Sequence, residues 1–293
     1  ARKFVVYLAL LHERMRKETK GFLCINGGYI LHLDGTCEGD SPHLISVLDG
    51  ITEIVLDNVK LPSESAEGLI PFLQGIKDSY GEPLAAVTDM GKGILGALRE
   101  VFEHVPRFVC HFHFLKNAGK ELFGEENETV RNRLAGIETG DLVHVRALDA
   151  LPQLLVRTLL VWVLEGKNQG QGRGFPFDRP YLAFYRRLIA ASTFLAERGD
   201  SGLFESTADR RLYRTLRDDL RAVARDSTLS KTADTMHEKV QVFDRLRAAM
   251  RITLPQNKRG LNDDGELCTM KTIEKEVTKF KGWLSRQTKR MKD

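Results

Sequence analysis

The chain has 293 residues, 42% hydrophobic and 29% charged, and 44 Lys and Arg against 40 Asp and Glu leave it at +4, with a pI near 8.8. These values exclude a disordered or low-complexity chain and suit one large domain or two ordinary ones with a sizeable core. No apolar run reaches the roughly 20 residues that span a bilayer. The opening "ARKFVVYLALLHERMRKETKGF" follows a brief apolar patch with charges, unlike a signal peptide. The sequence therefore reads as soluble and cytoplasmic, with no membrane partner. Cys24, Cys37, Cys110 and Cys268 are scattered, without the spacing of a disulfide framework, which suits a reducing compartment. The mild basic excess permits a polyanionic partner.

Residues 1–24 read as an N-terminal helical or extended segment. Three β-like runs follow: "YILHLDGT" (29–36), "HLISVLDG" (43–50) and "TEIVLDNVKL" (52–61). Asp49-Gly50 between apolar runs predicts that the second and third pair antiparallel. "SESAEGLIPFLQGIKDSYG" predicts an amphipathic helix capped at Ser63, with Glu64 and Glu67 in its first turn. "PLAAVTDMG" (83–91) predicts a buried strand ending at an aspartate, 93–105 a helix, and "RFVCHFHF" (107–114) a further strand. The order β-β-β-α-β-α-β is that of a mixed α/β fold with an antiparallel start.

From about residue 115 the period changes to that of helices, over 115–138, 141–165, 179–198, 205–227 and 231–252. The loop "GKNQGQGRGFPFDRP" interrupts them, and the polar stretch "LPQNKRGLNDDGE" precedes a last helix from about 269. Trp162 and Phe184 are expected in the core, and Phe175 and Phe177, beside Pro176, either plug their loop onto the domain or stack on a base. The expected domains are 25–120 (α/β core), 121–255 (helical) and 256–293 (polar linker and helix).

Asp34 and Asp89 each stand at the C-terminal end of a predicted strand. If those strands are neighbours, both carboxylates emerge at one edge. Mg²⁺ or Mn²⁺ takes such hard oxygen ligands, often one or two carboxylates plus substrate phosphates, and a two-ion site can act on a phosphodiester. Gly35 would let substrate approach the backbone, Thr36 offers a hydroxyl, and Met90-Gly91-Lys92-Gly93 bends into a helix N-terminus that favours phosphate. The plainer reading is that aspartates stop strands and cap turns; it is the one applied here to Asp40, Asp49 and Asp57. A phosphatase built on "DGT" would want an aspartate where Thr36 stands.

The series "LHLDGT", then β-β-α, then "AVTDMGKGI", a helix and "FVCHFHFLKN" resembles the DDE transposases of the ribonuclease H-like superfamily, in particular the bacterial insertion-sequence and mutator-like groups. The resemblance spans roughly residues 25–120. It implies a ribonuclease H-like mixed sheet with a long all-α insertion, and divalent-metal cleavage and strand transfer of DNA at transposon ends. Asp34 and Asp89 match the first two catalytic acids and metal ligands. Cys110 and His113 match a Cys-x-x-His signature. For this pair three readings stay open: active-site support, DNA contact, or a zinc site, for which the other ligands are missing from the sequence pattern. A catalytic thiol assisted by His111 or His113 also remains open, although strand alternation would turn His111 to the opposite face.

The resemblance also implies a final glutamate after the helical insertion, and Glu238, Glu266, Glu274 and Glu276 are the candidates. Glu274 and Glu276 lie in "KTIEKEVTKFKGWL", where alternating charge usually marks a solvated face. A truncated chain with two of three acids is the expectation, and the alternative function is a catalytically incomplete or domesticated DNA-binding module. Implied partners are double-stranded DNA, at transposon ends and target, and further copies of the chain. Lys92 and a stripe formed by Arg210, Arg211, Arg214, Arg217 and Arg221 are the candidate phosphate contacts, extended by Lys258, Arg259, Arg286, Lys289 and Arg290. Asp209, Asp218 and Asp219 interleave that stripe, so a merely soluble mixed-charge helix is the competing reading.

Overall fold

The computed structural model describes residues 2–138, 154–168, 170, 172, 174–198, 207–251 and 269–290. The candidates Lys258, Arg259, Glu266 and Cys268, and the side chains of Asp209, Lys289 and Arg290, lie outside the described residues. The chain divides into two compact units, residues 1–114 and 115–293.

The first unit is mixed α/β. Helix α1 (Arg2–Ile25) leads into β1 (Ile30–Thr36), β2 (His43–Asp49), β3 (Val55–Leu61), α2 (Ala66–Tyr80), β4 (Ala85–Thr88), α3 (Lys92–Val101) and β5 (Arg107–Val109). The five strands form one sheet in the order β3-β2-β1-β4-β5. β1–β2 and β2–β3 pair antiparallel, whereas β4 runs parallel to both β1 and β5. Alternation of buried and half-buried positions sets the register. Leu31, Leu33, Ile45, Val47, Leu56 and Ala86 turn to one face and pack with Leu69, Leu73 and Ile76 of α2 and Ile94, Ala97, Leu98 and Val101 of α3. Each fully buried Leu or Ile contributes about 2 kcal/mol through removal of apolar area from water. Helix α1 is tied down by Leu23 in that core and by Arg16, which donates to Asp57 Oδ2 (2.9 Å) and Ser79 Oγ (3.0 Å). Asp57 therefore serves an ion pair to α1 rather than a turn. The cap of α2 is Ser65, whose Oγ accepts from the Gly68 amide at 3.3 Å, and not the expected Ser63.

One expected element differs. β5 stops at Val109, and helix α4 (His111–Glu138) begins two residues later, so Cys110, His111 and His113 are not strand residues. Cys110 makes the switch. Its N–H donates to Thr88 O (2.6 Å), extending the parallel ladder, while its carbonyl accepts from Phe114 N (3.0 Å), opening the helix. The i, i+3 spacing then places Cys110 and His113 about one helical turn apart along α4.

The second unit is helical. After α4, which has a non-helical residue at Phe123, come α5 (Leu154–Leu164), a short 3₁₀ turn (Glu165–Asn168), α6 (Pro180–Arg198), α7 (Thr207–Arg225), α8 (Ser227–Ala249) and α9 (Met270–Arg290). Phe123 packs edge-on against Phe175 (5.2 Å) and Phe243 (5.6 Å), and Phe177 meets Phe243 at 6.1 Å. Both loop phenylalanines thus plug their loop onto the helices. Phe184 is in the core, but Trp162 is 40% exposed and its ring lies under the Arg187 guanidinium, 4.9 Å away. Cation–π contact, not burial, holds that indole. Among the described residues, no helix is long and apolar enough to cross a membrane.

Candidate functional site

The last paired positions of the central parallel strands are Leu33 and Thr88, and both are buried. Asp34 and Asp89 come one residue later on each strand. Asp34 is thus still within β1, whereas Asp89 lies just past the end of β4, and the two positions stand at the C-terminal side of neighbouring parallel strands, which lie about 4.8 Å apart. Open α/β sheets hold ligands at that edge.

The two acids are held differently. Asp89 Oδ1 accepts from the Gly91 amide at 2.7 Å, an Asx-type turn that opens α3 at Lys92. Asp34 keeps 60% of its side chain exposed, with its Oδ1 3.7 Å from His113 Nε2. That separation is too long for a hydrogen bond and is an electrostatic contact when the imidazole is protonated. His113 Nδ1 is buried without a hydrogen-bond partner, while its ring stands edge-on to Phe112 at 5.4 Å. His32 lies two residues before Asp34 on the same side of β1. Burial pushes its imidazole pKa down, partly opposed by the Asp49 carboxylate.

The helix starts complete the edge. Both α3 and α4 begin at the C-terminal ends of strands β4 and β5, where free amides and the helix dipole favour anions. Lys92 is exposed at the first position of α3, and Thr36 is exposed at the end of β1. His113 is thus brought to Asp34, while Asp89 is turned onto the Gly91 amide. Cys110 contributes its backbone to that edge and its thiol is half-buried.

The glycines act differently from the expectation. None of Gly35, Gly91 and Gly93 has a positive φ, so conformational freedom is not what they supply. A Cβ on Gly35 would lie 2.0 Å from Glu64 Oε1, and one on Gly93 would lie 1.8 Å from the Glu64 carbonyl oxygen. The space beside Gly35 is therefore taken by Glu64, not left open to substrate. Glu64 Oε1 in turn meets His43 Nδ1 at 3.1 Å. Sequence pattern marks Glu64 only as a first-turn acid and gives no sign of this pairing with His43. Its sole trace in the sequence is a pair of glycines that no turn requires.

Of the late acids, Glu276 is bound by Lys279 at 2.6 Å, and Glu274 is exposed on α9, as a solvated face predicts. Among the described residues, no three His, Cys, Asp or Glu side chains converge as a metal-holding group.

On α7 the buried residues Tyr213, Leu216, Leu220 and Val223 form one stripe, and Arg210, Arg214, Arg217 and Arg221 form a second beside it by their helical spacing. Arg210, Arg211 and Arg214 are exposed. Arg217 retains only 17% side-chain exposure and meets Asp218 at 3.5 Å, as Arg221 does at 3.8 Å. Asp218 borders the stripe, whereas Asp219 falls on a different side of the helix. No protein-family model matches the chain, and no curated protein matches it.

Proposed function

We propose that the first unit is a ribonuclease H-like catalytic domain of the DDE transposase kind, acting on DNA phosphodiesters at transposon ends. The observation that supports this reading is the parallel pairing of β1 and β4 in a 3-2-1-4-5 sheet, with Asp34 and Asp89 each one residue past the last paired positions, Leu33 and Thr88. The donor set suits Mg²⁺ or Mn²⁺: two hard carboxylates at neighbouring strand ends, one of them largely open to water and phosphate oxygens. When bound there, such an ion would supply Lewis-acid activation of the nucleophilic and leaving oxygens. Asp34 and Asp89 would hold it, and His113 would steady Asp34. Lys92 and the amides opening α3 would draw in the scissile phosphate. Thr36, exposed at the end of β1, would offer its hydroxyl to the same DNA strand.

The test is a Mn²⁺ titration followed by water-proton relaxation, on the chain and on its Asp34→Asn/Asp89→Asn variant. Binding at millimolar or tighter concentration that the variant loses is the expected result. No binding to the parent chain overturns the catalytic reading and leaves the DNA-binding module as the function.

Duplex affinity is assigned to the arginine stripe of α7, and the pairing of ends by transposases makes self-association part of the same proposal. Removing one side chain that neutralises a phosphate should lower the slope of log affinity against log salt by about 0.9. Arg210→Ala with Arg214→Ala is therefore expected to reduce that slope by about 2, uniformly across DNA sequences, as measured by fluorescence anisotropy. An unchanged slope removes the stripe from the interface and returns α7 to a soluble surface helix.

A further inference from the structure

We propose that the cleft between the C-terminal end of α8 and α9 binds a nucleotide of single-stranded DNA, with the phosphate on Arg245 and Arg286 and the base on the Arg245–Trp283 stack. The cleft has a volume of about 520 Å³, within the range of sites that take small organic ligands. Four cations line it, Arg245, Arg251, Lys279 and Arg286, against one acid, Glu276.

That acid is engaged by one of the four. Lys279 Nζ donates to Glu276 Oε1 at 2.6 Å, and the exposed guanidinium groups of Arg245 and Arg286 carry the positive charge offered to a ligand. The Glu276 carboxyl reports the same field. The Lys279 hydrogen bond first, then the positive charges of Lys279, Arg251 and Lys275, hold it below the usual carboxylate range despite slight desolvation. Guanidinium groups match phosphate oxygens through a planar fork of donors.

The aromatic content selects among polyanions. The Arg245 guanidinium carbon lies 4.2 Å from the Trp283 ring centre, and Phe280 adjoins that indole at 6.0 Å with the planes tilted by 34°. Stacked guanidinium and aromatic planes are what nucleobases pack on, and the base faces are free only in a single strand. A simple phosphate or a duplex backbone would use the arginines and leave the indole idle. Only the choice of DNA as the polymer rests on the proposed function; the chemistry of the cleft does not.

The chain has two tryptophans, so Trp162→Phe leaves Trp283 as the sole indole. In that background, titration with a single-stranded DNA about eight nucleotides long should quench Trp283 fluorescence and saturate. Arg286→Ala and Arg245→Ala should each weaken the binding about tenfold, and Arg245→Lys, which keeps the charge but not the planar stack, should weaken it too. Inorganic polyphosphate of equal charge should bind more weakly and leave the emission unchanged. Absence of quenching, equal affinity for polyphosphate or for the duplex form, or indifference to Arg286→Ala would each overturn the assignment. The titration requires neither divalent ion nor cleavage, so its failure is distinct from failure of the Asp34 and Asp89 reading.

Discussion

Replacing Asp49 with alanine is expected to cost about 3–5 kcal/mol of stability, the range for breaking a buried hydrogen-bond network. Asp49 is fully buried at the end of β2. Its Oδ1 accepts from the amides of Ile30 (2.9 Å) and Ile51 (3.1 Å), and its Oδ2 from Thr52 N (2.9 Å) and Thr52 Oγ1 (2.6 Å). One carboxylate thereby closes the β2–β3 turn and fastens it to the first residue of β1. Alanine would leave the four donors without the acceptor that now joins them at a buried position. Asparagine would keep one acceptor oxygen and turn an amide NH₂ toward donors, so Asp49→Asn should fall between alanine and the parent in urea unfolding.

The pH dependence follows from the same contacts. Burial alone would raise the Asp49 pKa; the hydrogen bonds from Thr52 Oγ1 and the Ile51, Ile30 and Thr52 amides outweigh it and hold the carboxyl below the usual range. A group depressed on folding stabilises the fold fully above its unfolded value, about 3.9, and loses that contribution as pH falls through the lower folded value. Unfolding midpoints of the parent chain should therefore drop from about pH 4 downward, and the Asp49→Ala chain should show a smaller drop. Equal acid sensitivity in both would remove Asp49 from the explanation.

The contrast between Asp49 and Asp34 shows what local pattern reveals. Asp49-Gly50 between two apolar runs identifies the hairpin, and period-2 burial fixes which residues of β1 and β2 enter the core. The same cues treat Asp49 as a turn residue, because the fact that its carboxylate also captures the Ile30 amide depends on a strand 19 residues away. Likewise, Val-Cys-His-Phe-His-Phe alternates as a strand does, yet Cys110 gives its carbonyl to the first bond of α4. No period distinguishes a ladder's last amide from a helix's first carbonyl in one residue. Glu64 and His43 meet only once β2 and α2 are assembled. The steric demand at Gly35 and Gly93 becomes meaningful at that point. Trp162 is apolar by type and position, and only the nearby Arg187 makes partial exposure acceptable.

If the proposed two-carboxylate site holds an ion and nicks DNA, Asp34→Ala and Asp89→Ala should each lower Mn²⁺-dependent nicking by at least about a hundredfold, since each would remove one of its ligands. Their effects on folding should differ. The Asp34 side chain is largely exposed and approaches His113 only at 3.7 Å, so its loss should change stability by no more than about 0.5 kcal/mol. Asp89 accepts from Gly91 N where α3 begins, and removing it should cost about 1 kcal/mol, as loss of a helix-start acceptor does. A purely structural pair of strand-end aspartates would make activity follow stability, with Asp89→Ala the damaged protein and Asp34→Ala near normal. A catalytic pair makes both inactive while only one is destabilised. Melting curves and nicking rates on the same two preparations separate these outcomes, and retention of nicking by Asp34→Ala would end the two-carboxylate assignment.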